Sequence, residues 1–298
     1  MIPYDFEYVR PTTVADAVAL LSDHPDAKLL AGGHSLLPIM KLRLARPSML
    51  IDITHVPELR RIEVNDDFVG IGAGVTHGEL EADPQLQRSI PLFGKVAEVI
   101  ADPAVRNRGT IGGSLVNADP SADWPAAMLA LEGEMEIVGP TKSRRVPAAS
   151  FFEGVMVSAV QPDEMLTRVI VPVLTESVCG YRKFRHPASG YAVAAAAVVL
   201  RYDGEHCIGG RIGITGVADA PFNARAAETL LAAGFDGRLE QIREIAAVAV
   251  DGVVALEDGF SDSSYRLQLA RTMVERALAD ALKDRTFNGY TTRRPSNA

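Results

Sequence analysis

The amino-acid sequence predicts an α+β protein in three parts. A small α/β unit covers about residues 1–56, a larger α+β unit about 57–176, and a C-terminal domain with a three-stranded antiparallel sheet and helices covers 177–285. Three observations predict this. Short apolar segments of strand character alternate with helix-start signals through the first two parts. Three longer strand-like segments follow one another after residue 177. Helix-period segments then occupy the chain from residue 224 onward, and strands followed by helices place those helices on one face of the sheet.

In chain order, Thr13-Val14-Ala15-Asp16 reads as a capping box that opens a helix through Leu21. Residues 28–31 and 49–53 read as short strands, and 36–44 mix apolar residues with Lys41 and Arg43. Residues 68–75 are strand-like, and Thr76-His77-Gly78-Glu79 is a second capping box. Residues 91–100 and 123–132 read as helices, the latter with Pro125 in its first turn. Strands at 135–138, 145–147 and 166–173 complete the second part. In the third, strands are expected at 180–186, 191–202 and 208–217, with Asp203-Gly204 turning between the last two, and helices at 224–233, 239–250 and 262–282. The polar end, 286–298, reads as a loose tail.

Composition narrows the functions. The chain has 298 residues, 47% apolar and 23% charged, as an ordinary globular protein does. A net charge of −8 argues against general nucleic-acid binding. The one basic cluster, Lys142, Arg144 and Arg145, reads as a solvated strand or loop edge. The longest apolar run, 192–200, is far too short to span a membrane and reads as a buried strand. The opening Met1-Ile2-Pro3-Tyr4-Asp5 has neither a basic n-region nor an apolar h-region, which predicts a cytoplasmic protein. Two cysteines, Cys179 and Cys207, cannot ligate a four-thiolate iron–sulfur cluster or form a disulfide framework, and read as buried, inert thiols. Redox chemistry here therefore needs an organic cofactor or a partner's metal.

Two glycine-rich turns carry the chemistry: Ala31-Gly32-Gly33-His34-Ser35 and Thr110-Ile111-Gly112-Gly113-Ser114. Adjacent glycines let the backbone approach a bulky anion, and their N–H groups can converge on phosphate oxygens because no Cβ intrudes. Two such turns suggest a ligand with two phosphates. The segment 117–125 adds a dense set of small polar groups, including Asp119, Ser121 and Asp123, as expected where many ligand atoms must be matched. Asp123 could cap the helix that follows it or accept a hydrogen bond from a ligand hydroxyl.

Other patterns point away from alternative chemistries. Gly70-Ile71-Gly72-Ala73-Gly74-Val75 resembles a nicotinamide dinucleotide fingerprint but lacks the final G-x-x-G spacing and lies within a strand, so it reads as a glycine-rich strand edge. No P-loop, H-E-x-x-H or clustered His/Cys pattern is present, so no metal site is expected.

The two turns, with their flanks Leu36-Leu37-Pro38 through Lys41-Leu42-Arg43 and Arg106-Asn107-Arg108-Gly109, resemble the FAD loops of the flavoprotein subunits of molybdenum hydroxylases. The opening, 2–6 with Pro11-Thr12-Thr13 and Ala17, is also similar, and the resemblance covers essentially the whole chain. Gly33-His34-Ser35 and Gly113-Ser114 look more like the carbon monoxide dehydrogenase branch than the xanthine dehydrogenase branch; many members carry asparagine where Ser114 stands, a change expected to retune one polar contact.

The resemblance implies that 1–176 is a two-part FAD-binding domain and 177–285 a C-terminal flavoprotein domain. It places the FAD pyrophosphate against Gly32, Gly33, His34, Ser35, Thr110, Ile111, Gly112, Gly113 and Ser114, with Ala31 and Leu36 also binding the cofactor. Asp123 matches an aspartate that contacts FAD, and Leu166 and Lys183 match residues of the flavin site. Tyr191 matches the aromatic residue beside the flavin ring, in the carbon monoxide dehydrogenase branch only, with no acid–base role. Taken as single residues, Lys183 also reads as a strand-face lysine and Tyr191 as a buried edge aromatic. Some other flavin oxidases attach FAD through a histidine in a Gly-Gly-His turn. The family resembled here binds FAD non-covalently, so His34 is read as loop-shaping or phosphate-proximal.

The function implied is electron transfer. A small iron–sulfur subunit with [2Fe-2S] clusters and a large subunit with the molybdenum cofactor are the expected partners, in a dimer of heterotrimers. The external acceptor is NAD, quinone or oxygen, and the complex is cytoplasmic or peripheral to the inner membrane. Two other readings stay open. One is a self-contained flavin oxidase, for which His186 is the nearest base candidate. The other is a non-catalytic assembly protein that has lost its cofactor, against which both glycine turns argue.

Overall fold

The computed structural model describes the backbone of residues 2–291 and side chains through Arg285. Two compact units form, each discontinuous in sequence. One gathers residues up to Ser89 with Ala97–Asp119 and Glu132–Val173; the other gathers Ile90–Val96, Pro120–Leu131 and the chain from Leu174 onward.

In the first unit, β1 (Glu7–Val9), β2 (Lys28–Leu30) and β3 (Met49–Asp52) form a parallel sheet in the order β1-β3-β2. The central β3 is buried at all four positions, whereas β1 is mostly exposed. Helix Val14–Asp23 opens at Thr13, whose side chain accepts from the Asp16 N–H as the capping pattern predicts. β1 carries no alternation by which the sequence could announce it; its pairing with β3 makes it a strand.

The same unit contains β4 (Ile62–Val64), β5 (Phe68–Gly72), β6 (Glu134–Val138), β7 (Ser143–Pro147), the small hairpin β8 (Phe152–Gly154) and β9 (Val157–Ser158), and β10 (Met165–Pro172). Five of these make an antiparallel sheet in the order β4-β5-β10-β6-β7. The fingerprint-like glycines lie at the end of β5, which has neighbours on both sides, so it is not a sheet edge. A Cβ on Gly72 would collide with the Leu59 backbone, and Gly74 N–H donates to the Leu59 carbonyl at 2.8 Å. The glycines therefore let the turn Pro57–Arg60 lie directly on the strand.

In the second unit, β11 (Ser177–Arg185), β12 (Ala192–Asp203), β13 (His206–Thr215) and β14 (Phe222–Asn223) form a four-stranded antiparallel sheet in chain order. The three-stranded expectation is corrected by β14. A two-residue strand has no readable alternation and exists because Asn223 and Phe222 pair with Gly213 and Ile214.

The expectation of helices on one face is also corrected. Gly180 pairs with Val198 and Gly213 with Ala197, so the two glycines face opposite sides of the sheet. A Cβ on Gly180 would collide with Ala277 of the helix Ser263–Thr291, and one on Gly213 with Ala126 of the helix Trp124–Ala130. The sheet is covered on both faces. This explains why Ala192 to Leu200 is buried throughout: an alanine-rich strand lets helices approach closely from either side.

On the Gly180 side, Val198, Ile212 and Ile214 pack with Leu231, Ile242, Ile245, Met273 and Leu278 from the three C-terminal helices. The last helix continues to Thr291, past the boundary at which a loose tail was expected; positions 292–298 of that expectation lie outside the described residues. The expected helix at 91–100 is shorter, Leu92–Ala97.

Candidate functional site

The first glycine turn leaves β2 and enters the short helix Leu36–Lys41. Gly33 adopts φ +77°, a left-handed conformation that suits glycine. The helix ladder begins with Leu37 N–H donating to the Gly33 carbonyl at 3.0 Å, which leaves the N–H groups of 34–36 outside it. Ser35 stands at the N-cap without bonding its own helix, so its hydroxyl is not spent on capping.

The second turn differs. Thr110 is a true N-cap, its hydroxyl oxygen accepting from Gly113 N–H at 3.1 Å. Ile111 and Gly112 donate to the carbonyls of Val75 and Ala73, and Ser114 to that of Thr110. Here glycine serves close approach: a Cβ on Gly112 would stand 2.8 Å from Ala73 Cα. The backbone of this turn is therefore tied to the strand–helix connection at 73–77. His77 N–H donates to the Gly109 carbonyl at 2.9 Å, and Thr76 and Glu79 form a complete capping box.

The two turns abut. An ideal Cβ on Gly32 would lie 2.8 Å from Gly109 Cα. Ala31 and Thr110 line one pocket of about 540 Å³, with Thr54, Arg60, Thr76 and Arg108 among its other walls. A pocket of this size suits a sizeable small molecule, and the Arg108 guanidinium suits an anionic one; Arg60 is already ion-paired with Glu79, which lines the same pocket. FAD fits this donor set and this glycine cradle. Thr54 and Arg60 carry no signal of their own in the sequence; of the other walls, Thr76 belongs to the capping box and Asn107 and Arg108 to the flank of the second turn.

His77 is buried, and burial pushes its imidazole down to about 4, with His34 and Arg106 acting in the same direction. The neutral ring lies against Gly109, where a Cβ would meet it at 2.9 Å. His34 itself is exposed.

Leu166 is buried in β10 of the first unit, at a register shift between Leu166 and Arg168. The other predicted residues lie in the second unit. Asp123 occupies the N-cap position of the helix Trp124–Ala130, yet its side chain makes no cap bond. Its Oδ1 accepts from the Tyr181 hydroxyl at 2.6 Å and its Oδ2 from Lys183 Nζ at 2.8 Å. Of the two roles open to it in the sequence, capping is not the one it takes.

Burial pushes the Asp123 carboxyl up, opposed by the Lys183 charge and by hydrogen bonds from Lys183 and Tyr181. Burial, and then the Asp123 charge, raise the Tyr181 phenol well above its ordinary range. Lys183 is a buried ion-pair partner rather than a strand-face lysine, its side chain 3% exposed. Tyr191 is 43% exposed, so it is not a buried edge aromatic; its carbonyl accepts from His186 N–H at 2.8 Å across the β11–β12 turn. Ala192 N–H donates to the Ser121 carbonyl, which ties the segment before Asp123 to the start of β12.

His186 Nδ1 accepts from Ala188 N–H at 3.2 Å, a local turn contact. Cys179 is buried and its thiol pushed up to about 12 by burial; Cys207 is half-buried and also raised, chiefly by burial. No group of metal-ligating side chains occurs among the described residues, and no helix among them is long and apolar enough to cross a membrane.

Residues 4–174 match the family described as the FAD binding domain in molybdopterin dehydrogenase, and residues 180–281 match the CO dehydrogenase flavoprotein C-terminal domain. The chain belongs to the flavoprotein family of the molybdopterin dehydrogenases.

Its relatives include the carbon monoxide dehydrogenase medium chain of Hydrogenophaga pseudoflava, 40% identical over 93% of this chain and 97% of that one. The 6-hydroxypseudooxynicotine dehydrogenase complex subunit alpha of Paenarthrobacter nicotinovorans is 36% identical over 95% and 96%. Among solved structures, the cyanide-inactivated Cu,Mo-CO dehydrogenase aligns with a TM-score of 0.90 at 39% identity, covering 94% of this chain and 99% of that one. Quinoline 2-oxidoreductase from Pseudomonas putida 86 aligns with a TM-score of 0.90 at 32% identity, covering 95% and 99%. The chain is thus an FAD-binding oxidoreductase flavoprotein of the molybdenum hydroxylase type, and relatives such as the 6-hydroxypseudooxynicotine dehydrogenase protein are subunits of complexes.

Proposed function

We propose that this subunit carries electrons from the [2Fe-2S] clusters of a small partner to an external acceptor, while a large partner holding the molybdenum cofactor oxidises the substrate. The complex is a dimer of heterotrimers, and the acceptor is NAD, quinone or oxygen. FAD, when bound, takes up electrons singly and releases them in pairs, which is the chemistry such a relay needs.

The chain's own residues bind and orient. Gly32, Gly33 and the N–H groups of 34–36 receive the pyrophosphate, with Ala31 and the Ser35 hydroxyl beside it. Ile111, Gly112 and Gly113 hold the second turn in place, and Thr110 and Ser114 offer hydroxyls to the phosphates. Asp123, Leu166, Lys183 and Tyr191 contact the flavin half, Tyr191 against the ring and Lys183 as a fixed positive charge. His34 forms no covalent bond to the cofactor.

The observation that carries this reading is the abutment of the two turns, with Gly32 against Gly109. The experiment is purification of the native complex, with metal analysis and acid extraction of flavin. The expected result is three subunits, iron and molybdenum in the partners, and one FAD per medium subunit released free into the acid supernatant. A solitary chain that turns over substrate at the full rate, or flavin that stays with the precipitated protein, overturns it.

A further inference from the structure

Tyr181 and Lys183 are two residues apart on β11, so both point to the sheet face opposite Gly180. That face carries the helix Trp124–Ala130, and Asp123 stands at its start. Sheet pleat and helix position together bring a phenol, a carboxylate and an ammonium into one buried cluster. Tyr181 is 7% exposed and Asp123 6%.

Burying an ion pair is costly, and apolar side chains of similar size would serve stability as well. The cluster also withholds Asp123 from capping its own helix. Both arrangements make sense if the charge on Lys183 must be held at a set place and strength. The Asp123 carboxylate has one oxygen on Lys183 and the other on Tyr181. The phenol hydrogen bond therefore fixes the rotation of the carboxylate and, through it, the position of Nζ.

We propose that Tyr181 is a positioning residue of the flavin centre, acting through Asp123 to set the field that Lys183 exerts on the bound cofactor. This rests on the reading that Lys183 faces FAD. Without the phenol, the carboxylate is less neutralised on the Oδ1 side, the local potential becomes more negative, and reduction of the flavin becomes less favourable.

The test measures the midpoint potential of FAD in the intact complex, by dye equilibration, for wild type, Tyr181→Phe, Asp123→Asn and the double variant. Tyr181→Phe is expected to retain FAD while its two-electron reduction constant falls at least about tenfold, a shift of about 30 mV to lower potential. The double variant is expected to match Asp123→Asn alone, because the phenol acts only through that carboxylate. A purely structural role for Tyr181 would leave the potential unmoved.

An unshifted potential in Tyr181→Phe, or shifts that add in the double variant, overturns the proposal and leaves the FAD reading intact. A wild-type complex without FAD overturns both. If Tyr181→Phe does not fold, 3,5-difluorotyrosine at 181 keeps the ring and makes the phenol a stronger donor. The potential must then rise, and a fall or no change overturns the proposal.

Discussion

Gly32 lies so close to Gly109 that a Cβ on the first would stand 2.8 Å from the Cα of the second. Neither residue can yield cheaply, because Gly109 is tied to Val105 and His77 by backbone hydrogen bonds. Gly32→Ala is therefore expected to push the turns apart and weaken FAD binding by at least about tenfold, or about 1.4 kcal/mol. Titration of the apo-complex with FAD, followed by flavin fluorescence, checks this. Gly154→Ala is the control, since nothing lies within 4 Å of a Cβ there, and its affinity should match wild type.

His77 makes stability depend on pH. Its imidazole takes a proton near 6.5 when the chain is unfolded, but only at about 4 in the folded protein. The unfolded state thus binds the extra proton between these values. Stability from this site is complete above about pH 6.5 and falls as pH drops toward 4, by up to about 3 kcal/mol. Urea unfolding across that range should show a flatter acid limb for His77→Phe than for wild type; equal slopes would show that His77 is not the group responsible.

Gly180 faces the Ala277 backbone, with the Ala277 carbonyl carbon 2.9 Å from an ideal Cβ. Gly180→Ala should force the last helix outward from β11 and cost about 1–3 kcal/mol. Gly259→Ala, with open space around its Cβ, should leave the thermal midpoint unchanged. Calorimetry on the two variants distinguishes overpacking from a general glycine effect.

Arg266 is 4% exposed and spans three partners: its Nη1 donates to the carbonyls of Val193 and Gly216, and its Nη2 to Asp258. Arg266→Met keeps the length of the side chain but strands two buried carbonyls. The expected loss is about 2–5 kcal/mol. Arg266→Lys should recover only part of it, because an ammonium cannot reproduce the fork. Denaturation midpoints of the three proteins test the order.

Features whose cause lies within a few residues were legible in the chain alone. The glycine turns, the N-cap at Thr13, the capping box at Thr76 and the scarcity of cysteine are of this kind. So is the apolar run Ala192 to Leu200 of β12, because a strand segment hidden on both faces must be apolar throughout. Which distant residues meet was a matter of the folded chain. It set Gly32 against Gly109, drew Asp123 away from its helix to Tyr181 and Lys183, and added β1 and β14 as strands too short to show a period. It also put helices on both faces of the C-terminal sheet. Apart from the β13–β14 pairing, these contacts join residues tens of positions apart, and strand register and helix position, not local preference, bring such residues together.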